Sequence, residues 1–372
     1  MYKICLSANT SWYIYNFRRN TISELINTGY YVLVMAPEDE YTPLLKALGV
    51  DFFPISLVGQ SLNIITEMKS FLSIYKALGN AKPHILLNFT PKNNIYCSLV
   101  ASFYKIKTIN NISGLGTIFT KNNLLSFFVK KLYKISQSKV DFVFFQNYED
   151  KKIFNDNGIV NASKCRRIPG SGVDLQRFKY IEPIFNSKTK FIFIARLLYQ
   201  KGIMQYILAA SEVKKEFSNV DFTIVGFLDE SNENYIKKSE LTKWVELGVV
   251  NYYGISNNIE ELLATHDCVV LPSYYREGVP KTLLEGAAMG KAIITTDNVG
   301  CRDIVNDRVN GFLCEPKSVN DLISAMRNYL ALSNSEKTKF SLESRIKVEK
   351  EFDEKIVLNA YLDKIKEVLK ET

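Results

Sequence analysis

The sequence predicts an α/β protein built as two halves, each a mainly parallel sheet covered by helices on both faces. Three observations carry this expectation. Apolar strand-like runs alternate with helical stretches along most of the chain, the pattern of parallel sheets. The rhythm breaks at 169–190 (PGSGVDLQRFKYIEPIFNSKTK), which holds two Pro and two Gly and reads as an interdomain linker, and then restarts. The length of 372 residues suits about two domains. The expected domains are 1–170 and 171–354, with a charged helix at about 355–372 free to pack back on the first.

In the first half the strand candidates are Lys3–Leu6, Tyr31–Met35, His84–Phe89, Thr108–Asn111 and Asp141–Phe145. Helical stretches are read at Phe17–Thr28, Leu62–Leu78, Asn94–Phe103 and Asn122–Ser136. The second series has strands at Phe191–Ala195, Asp221–Val225, Val249–Tyr253, Cys268–Leu271 and Ala292–Thr295. Its helices are Gln205–Phe217, Asn232–Leu247, Ile259–Ala264, Lys281–Met289 and Ser318–Leu330, followed by a charged helical tail from Ser335 to Lys370. Two such halves imply a cleft, and ligands of open α/β sheets lie at the carboxyl ends of strands.

Hydrophobic residues make up 47% and charged residues 23%, which are globular values and allow a sizeable core. Lys and Arg outnumber Asp and Glu by 47 to 39, for a net charge of +8 that suits anionic partners. The basic residues are dispersed and lack an aromatic-interleaved motif, so nucleic acid is not expected. The six cysteines form no C-x-x-C pair, which fits free thiols in a reducing compartment. Residues 1–30 read as a strand and helix rather than a signal peptide, and no apolar run is long enough to span a bilayer. A cytoplasmic protein is expected, peripheral on the inner face of the cell membrane at most.

The chemistry gathers in 268–290, CVVLPSYYREGVPKTLLEGAAMG. An apolar strand gives way to a polar loop ending in Glu277 and Gly278. Pro280 suits the first turn of a helix that runs to Gly290. Glu277 and Glu285 therefore flank a fresh helix N-terminus, where free N–H groups favour anions. A ligand with hydroxyls at both ends and phosphates in the middle would fit. Arg196, Lys201 and Gly202 follow another strand at the same sheet edge, and Arg and Lys both bind phosphate oxygens. Gly226 closes the strand DFTIV, where a missing side chain would let a ligand approach the backbone. A G-x-G-x-x-G turn after the first strand is absent, which argues against a dinucleotide oxidoreductase. No D-x-D triplet occurs, and Glu38-Asp39-Glu40 reads as a solvated face, so no metal is expected. His84 and His266 sit beside strands as structural residues.

The segment ARLLYQKG resembles the G-R-L-x-x-x-K-G element of retaining GT-B glycosyltransferases. LPSYYREGVPKTLLEGAAMGKAIITTDNVGCRDIV is similar to their Glu-x7-Glu donor site and its continuation, and PGSGVDLQRF to their N-G-V-D-x-x-x-F segment. This is glycosyltransferase family 4 (group 1). SANTSWYIYNFR, NFTPKNNIYCSLVA and NNISGLGTIF look more particularly like bacterial N-acetylgalactosaminyl- and galactosyltransferases acting on undecaprenyl-diphosphate-linked glycans. The resemblance implies a GT-B fold, an N-terminal acceptor-binding domain, and a C-terminal domain for a nucleotide sugar, a UDP-sugar above all. It implies a retaining, metal-independent hexosyltransferase that needs no cofactor. The donor sugar is of the GalNAc, Gal or GlcNAc type, and the acceptor a polyprenyl-diphosphate-linked glycan in O-antigen, capsule or lipid-linked oligosaccharide assembly. A nucleotide-sugar epimerase and a transferase with a soluble acceptor are the alternatives.

By the same resemblance, Glu277 would orient the donor sugar. Gly278, Val279 and Pro280 would line the sugar and phosphates, Glu285 would bind the ribose, and Arg196 with Lys201 would stabilise the leaving nucleotide. Asn9, Thr10, Ser11, Gly114 and Gly116 are the cleft-facing candidates of the first half. The chain departs from the family in lacking a Gly-rich first loop, where it has NTSWYIYNF, and an evident N-terminal-domain His near the donor. Finally, Leu124, Leu125, Phe128, Val129, Leu132 and Ile135 recur at helical spacing beside Lys130, Lys131 and Lys134. Such a stripe either packs on its own sheet or lies on an anionic bilayer.

Overall fold

A computed structural model describes the chain apart from residues 60–62, 117–118, 120–123, 186–187, 231 and 371–372. Two compact units emerge, Met1–Ser171 with Lys355–Thr372, and Gly172–Glu354.

The first unit holds β1 (Lys3–Ser7), β2 (Tyr31–Ala36), β3 (Asp51–Pro54), β4 (Ile85–Asn88), β5 (Lys107–Ile112), β6 (Phe142–Phe145) and β7 (Cys165–Arg167). They form one parallel sheet in the order β3-β2-β1-β4-β5-β6-β7. Its helices are α1 (Ser11–Asn27), α2 (Thr42–Ala47), α3 (Ile64–Ala81), α4 (Pro91–Phe103), α5 (Leu124–Gln137) and α6 (Tyr148–Asp156). Near-continuous apolar strands such as β2 are what a sheet covered on both faces requires.

The second unit holds β8 (Thr189–Ile194), β9 (Val220–Val225), β10 (Asn251–Gly254), β11 (Cys268–Leu271), β12 (Ala292–Thr296) and β13 (Gly311–Cys314). The sheet is again parallel, in the order β10-β9-β8-β11-β12-β13. Around it lie α7 (Ile203–Glu216), α8 (Lys238–Glu246), α9 (Ile259–Ala264), α10 (Lys281–Ala288), α11 (Val319–Ala331) and α12 (Asn334–Glu351). In each sheet the strand order reverses beside the first strand, between β1 and β4 and between β8 and β11. Such a switch point opens a crevice at the carboxyl ends.

The last helix, α13 (Glu354–Lys370), leaves the second unit and completes the core of the first. Val357, Tyr361, Ile365 and Val368 bury themselves with Ile14, Ile22 and Leu25 of α1 and with the sheet. Each such side chain contributes about 1.5–3 kcal/mol by leaving water. Arg18 is buried there with its guanidinium 4.4 Å from the centre of the Phe89 ring and 5.7 Å from that of Tyr361.

Several expectations need correction. The first helix begins at Ser11, six residues before the expected start, because Thr10 caps it and Asp39 accepts from Trp12 N at 2.8 Å. Asp39 is thus part of a cap, not a solvated face. The short strands β3, β7 and β13 carried too little apolar pattern to be read. The stretch 232–237 is a turn that bridges back to Leu198, so α8 starts only at Lys238. The supposed linker is largely part of the second unit: Val173 and Phe178 are buried in its core, and Val173 exchanges backbone hydrogen bonds with Phe352 and Glu354. That pairing, with Phe352 buried, also divides the charged tail into α12 and α13.

Candidate active site

At the β8/β11 switch point two loops leave neighbouring strands. After β8, Leu197 and Leu198 turn inward and anchor the first loop, while Arg196 and Lys201 stay at the edge. After β11, the backbone N–H groups of Tyr274 and Tyr275 donate to the Gln200 carbonyl at 3.0 and 3.2 Å, stitching the second loop to the first. A third loop, after β12, holds the second in place. Thr296 Oγ1 donates to the Ser273 carbonyl, and Asn298 Nδ2 to that of Tyr275 at 3.0 Å. Gly300 has φ +80°, and a Cβ there would stand 1.9 Å from the Gly278 carbonyl oxygen. Only glycine permits this approach, and it fixes the backbone of the Glu277–Gly278 turn.

The side chains then converge. Lys201 Nζ pairs with Glu277 Oε2, and Ser273 Oγ donates to the other oxygen, Oε1, at 2.6 Å. Both members of the ion pair are largely shielded from solvent, which strengthens a charge-assisted contact. Arg196 Nη1 pairs with Asp229 Oδ2 at 3.2 Å. The Tyr275 ring lies 5.8 Å from Lys201 Nζ, and burial, then the Glu277 charge, raises its hydroxyl pKa. Cys301 is buried alongside, and desolvation, followed by the Glu277 charge, pushes its thiol up to about 12. It stays protonated and is no nucleophile at neutral pH.

Behind the turn, Gly278, Val279 and Pro280 are buried. Pro280 is the residue just ahead of α10 and has no side chain to cap it, so the first N–H groups of α10 face the loop without a side-chain cap. Glu285 lies buried on the second turn of α10 with Lys281 Nζ at 3.8 Å. Its charge helps raise the pKa of Arg177, whose main partner is Glu260 in a bidentate pair at 2.9 Å. The loops thus bring Arg196, Lys201, Glu277 and the Gly278–Pro280 turn together at one switch point, with Glu285 on the helix that follows.

Other candidates change meaning. Gly226 does not open the backbone to a ligand: the place of its Cβ is filled by the Ala195 carbonyl oxygen, 1.8 Å away. In the first unit Ser11 is buried, its hydroxyl donating to the Pro37 carbonyl at 2.8 Å and accepting from Thr42 Oγ1 at 3.1 Å. Thr10 is spent on the α1 cap, while Asn9 remains partly exposed. Gly114 and Gly116 follow β5 with positive φ, and Leu115 N between them donates to Asp150 Oδ2 at 3.2 Å. Part of that loop, 117–118, lies outside the described residues. His84 accepts from Lys3 N at 3.0 Å, and His266 bonds the Leu262 carbonyl and Thr223 Oγ1.

Sequence reasoning missed Ser273, Asp229, Asn298 and Gly300. Ser273 stands four residues before Glu277 in a loop, where no periodicity signals contact. The other three hold the site from elsewhere in the chain.

On α5 the buried residues are Ser126, Tyr133, Ser136 and Gln137. The apolar Leu124, Phe127, Phe128, Leu132 and Ile135 are exposed, with Lys131 and Lys134 among them and Lys130 half-buried. Of the two readings of this stripe, packing on its own sheet fails for these residues and holds for Val129, which packs against the core. Residues 121–123 and the Leu125 side chain lie outside the described residues. On α3, Ile64, Ile65, Met68, Leu72 and Tyr75 are exposed in the same way.

Comparison with known proteins follows the two units. Residues 176–345 match the family model "Glycosyl transferases group 1", and residues 3–147 match "Glycosyl transferase 4-like". The chain is 29% identical over 375 residues to a Campylobacter jejuni N,N'-diacetylbacillosaminyl-diphospho-undecaprenol alpha-1,3-N-acetylgalactosaminyltransferase, covering 96% of each. It is 26% identical over 293 residues to an Escherichia coli UDP-Gal:alpha-D-GlcNAc-diphosphoundecaprenol alpha-1,3-galactosyltransferase, covering 74% of this chain and 73% of the relative. Among solved structures, a sucrose-phosphate synthase from Thermosynechococcus elongatus shares the fold over the full length of both chains, with TM-score 0.84 at 14% identity.

Proposed function

The chain belongs to the glycosyl transferases, group 1 in its second half and 4-like in its first, and we propose that it moves a GalNAc-, Gal- or GlcNAc-type sugar from a UDP-sugar to a polyprenyl-diphosphate-linked glycan. The Lys201–Glu277–Ser273 cluster, set beside an α10 N-terminus without a side-chain cap, carries this reading. A donor entering the turn exchanges partners with the protein. Its sugar hydroxyls take the place of Lys201 on Glu277, and the freed ammonium turns to the diphosphate. Arg196 joins it from its Asp229 tether, and Glu285 takes the ribose hydroxyls. As the glycosidic bond to phosphate breaks, negative charge grows on the UDP oxygens, where two cations and a helix N-terminus already stand. No metal is invoked, because these groups supply the positive charge. The acceptor hydroxyl attacks from the face the nucleotide leaves and passes its proton to the departing phosphate oxygen, so the product keeps the donor's anomeric configuration. The two relatives, named for undecaprenyl-diphosphate-linked substrates, support the choice of acceptor.

Work on a lipid-linked acceptor calls for a protein at a bilayer. The exposed apolar faces of α5 and α3, with Lys130, Lys131 and Lys134 beside the former, support docking on an anionic membrane, the cytoplasmic face of the cell membrane. Incubation with UDP-GalNAc, UDP-Gal and UDP-GlcNAc and a lipid-linked acceptor, read by mass, tests the reaction. One sugar is expected to add to the lipid-linked glycan, with its α or β configuration preserved by NMR and with turnover unchanged by EDTA. Epimerised donor alone, transfer only to soluble acceptors, or activity lost to EDTA and restored by manganese overturns the corresponding part. Changing all three lysines to Glu should abolish sedimentation with anionic vesicles, and unchanged sedimentation removes the docking surface.

A further inference from the structure

At the opposite edge of the second sheet from Arg196 and Glu277 lies a cavity of about 260 Å³. It is framed by the starts of β8, β11 and β12, the same three strands whose far ends carry the donor loops. Strands of this length set the two places about 15–20 Å apart. Lys190 on β8, Lys291 just before β12 and Lys337 on α12 all line it. None of the three ammonium groups forms an ion pair among the described residues. Lys291 is only 5% exposed, and its Nζ reaches the Ala264 carbonyl at 3.4 Å, at the long limit of a hydrogen bond. Lys337 Nζ stands 5.3 Å from the Tyr329 ring.

Two carboxylates share the wall, Glu182 and Asp267. Asp267 spends an oxygen on Lys190 N at 2.7 Å. Three ammonium groups against two carboxylates leave one positive charge in a partly dry concavity. Burying such charge uncompensated is costly, and an entering anion would relieve it. Burial lowers the pKa of both Lys291 and Lys337, in keeping with an under-compensated site. The hydroxyl of Ser341, another lining residue, offers a neutral donor.

We propose that this cavity is a second anion site, distinct from the donor site, that takes a phosphate-bearing small molecule held by Lys190, Lys291 and Lys337. The position, at the amino ends of the strands that carry the donor loops, makes it a place where bound phosphate stabilises the second unit without competing for UDP.

The test uses the full chain carrying Lys201→Ala, so that phosphate does not act through the donor loops. Inorganic phosphate, then pyrophosphate, is titrated at constant ionic strength held with chloride while Tm is followed. Saturation should raise Tm by about 3–6 °C. Adding Lys291→Ala and Lys337→Ala should erase that rise. If the double change impairs folding, Lys337→Glu alone should weaken the apparent phosphate affinity at least about tenfold. A rise matched by chloride, no rise at all, or a rise that survives the lysine changes overturns the site. None of these outcomes bears on sugar transfer, which the Lys201→Ala background already sets aside.

Discussion

The two switch points of this chain are dressed in opposite chemistry. At the second, between β8 and β11, the carboxyl ends carry formal charges: Arg196 with Asp229, and Lys201 with Glu277. At the first, between β1 and β4, they carry buried hydroxyls and amides. Ser7 Oγ donates to Asn88 Oδ1 at 2.6 Å, Asn88 Nδ2 to Asn110 Oδ1 at 2.8 Å, and Asn110 Nδ2 to Gln137 Oε1 at 2.8 Å. Asn93 and Ser98 on α4 close the same network onto Ser7 and Asn110. The charged set lies at the edge, in loops. The amide set lies inside, bridging strands to α4 and α5, with its bonds satisfied by the protein. On the proposed function, the same sheet position serves recognition in one unit and cohesion in the other.

This contrast can be broken by substitution. The largest effect is expected for Glu277→Gln, which should lower turnover by about 10²–10³-fold, the scale for removing one charge-aligning group, while Tm moves little. Near-normal turnover would end the donor role of Glu277. Asn110→Ala should do the reverse. It strands the Asn88 amide and the Gln137 carbonyl in the interior at about 1–3 kcal/mol each, visible as a lower denaturant midpoint. An unchanged midpoint would mean the network contributes no cohesion. Gly300→Ala should fall between, since its Cβ must push the Gly278 carbonyl aside. Strain of about 1–3 kcal/mol should surface as a donor KM raised roughly tenfold, and equal KM values would show the turn is not held from that side. The smallest change is expected for Asp229→Asn. Its partner Arg196 is half exposed, and such pairs are worth about 0.2–1 kcal/mol, so donor KM should rise only two- to fivefold at constant Tm. A loss as deep as that of Glu277→Gln would place Asp229 in the chemistry itself.

The charged edge was legible in the sequence because its residues sit in short contiguous runs. YREGVPKTLLEG places Glu277, the turn and Glu285 within one strand–loop–helix unit, and β11 and α9 fall where the apolar pattern puts them. What holds that edge was not legible. Ser273 reaches Glu277 through a loop, and Asn298 and Gly300 act across a neighbouring strand end. Gly226 misled for the same reason: a glycine needed by a neighbouring carbonyl looks, in sequence, like one needed by a ligand. The amide edge left no trace, since Asn88, Asn110 and Gln137 are scattered and their types belong more often to surfaces. On α5 the periodicity was plain, but which face it presented depended on Ser126, Ser136 and Gln137 making the inward contacts.

The return of α13 to the first unit reaches into the life of the chain before it works. Residues 1–171 are synthesised before the second unit, yet their core lacks Val357, Tyr361 and Ile365 until the second unit has been made. Until then the apolar faces of Ile14, Ile22 and Leu25 wait for their cover, while the second unit has every residue it needs once Glu354 is made. The half begun first is closed later than the second, and a chain interrupted soon after Glu354 holds every residue of its second unit while its first unit cannot close.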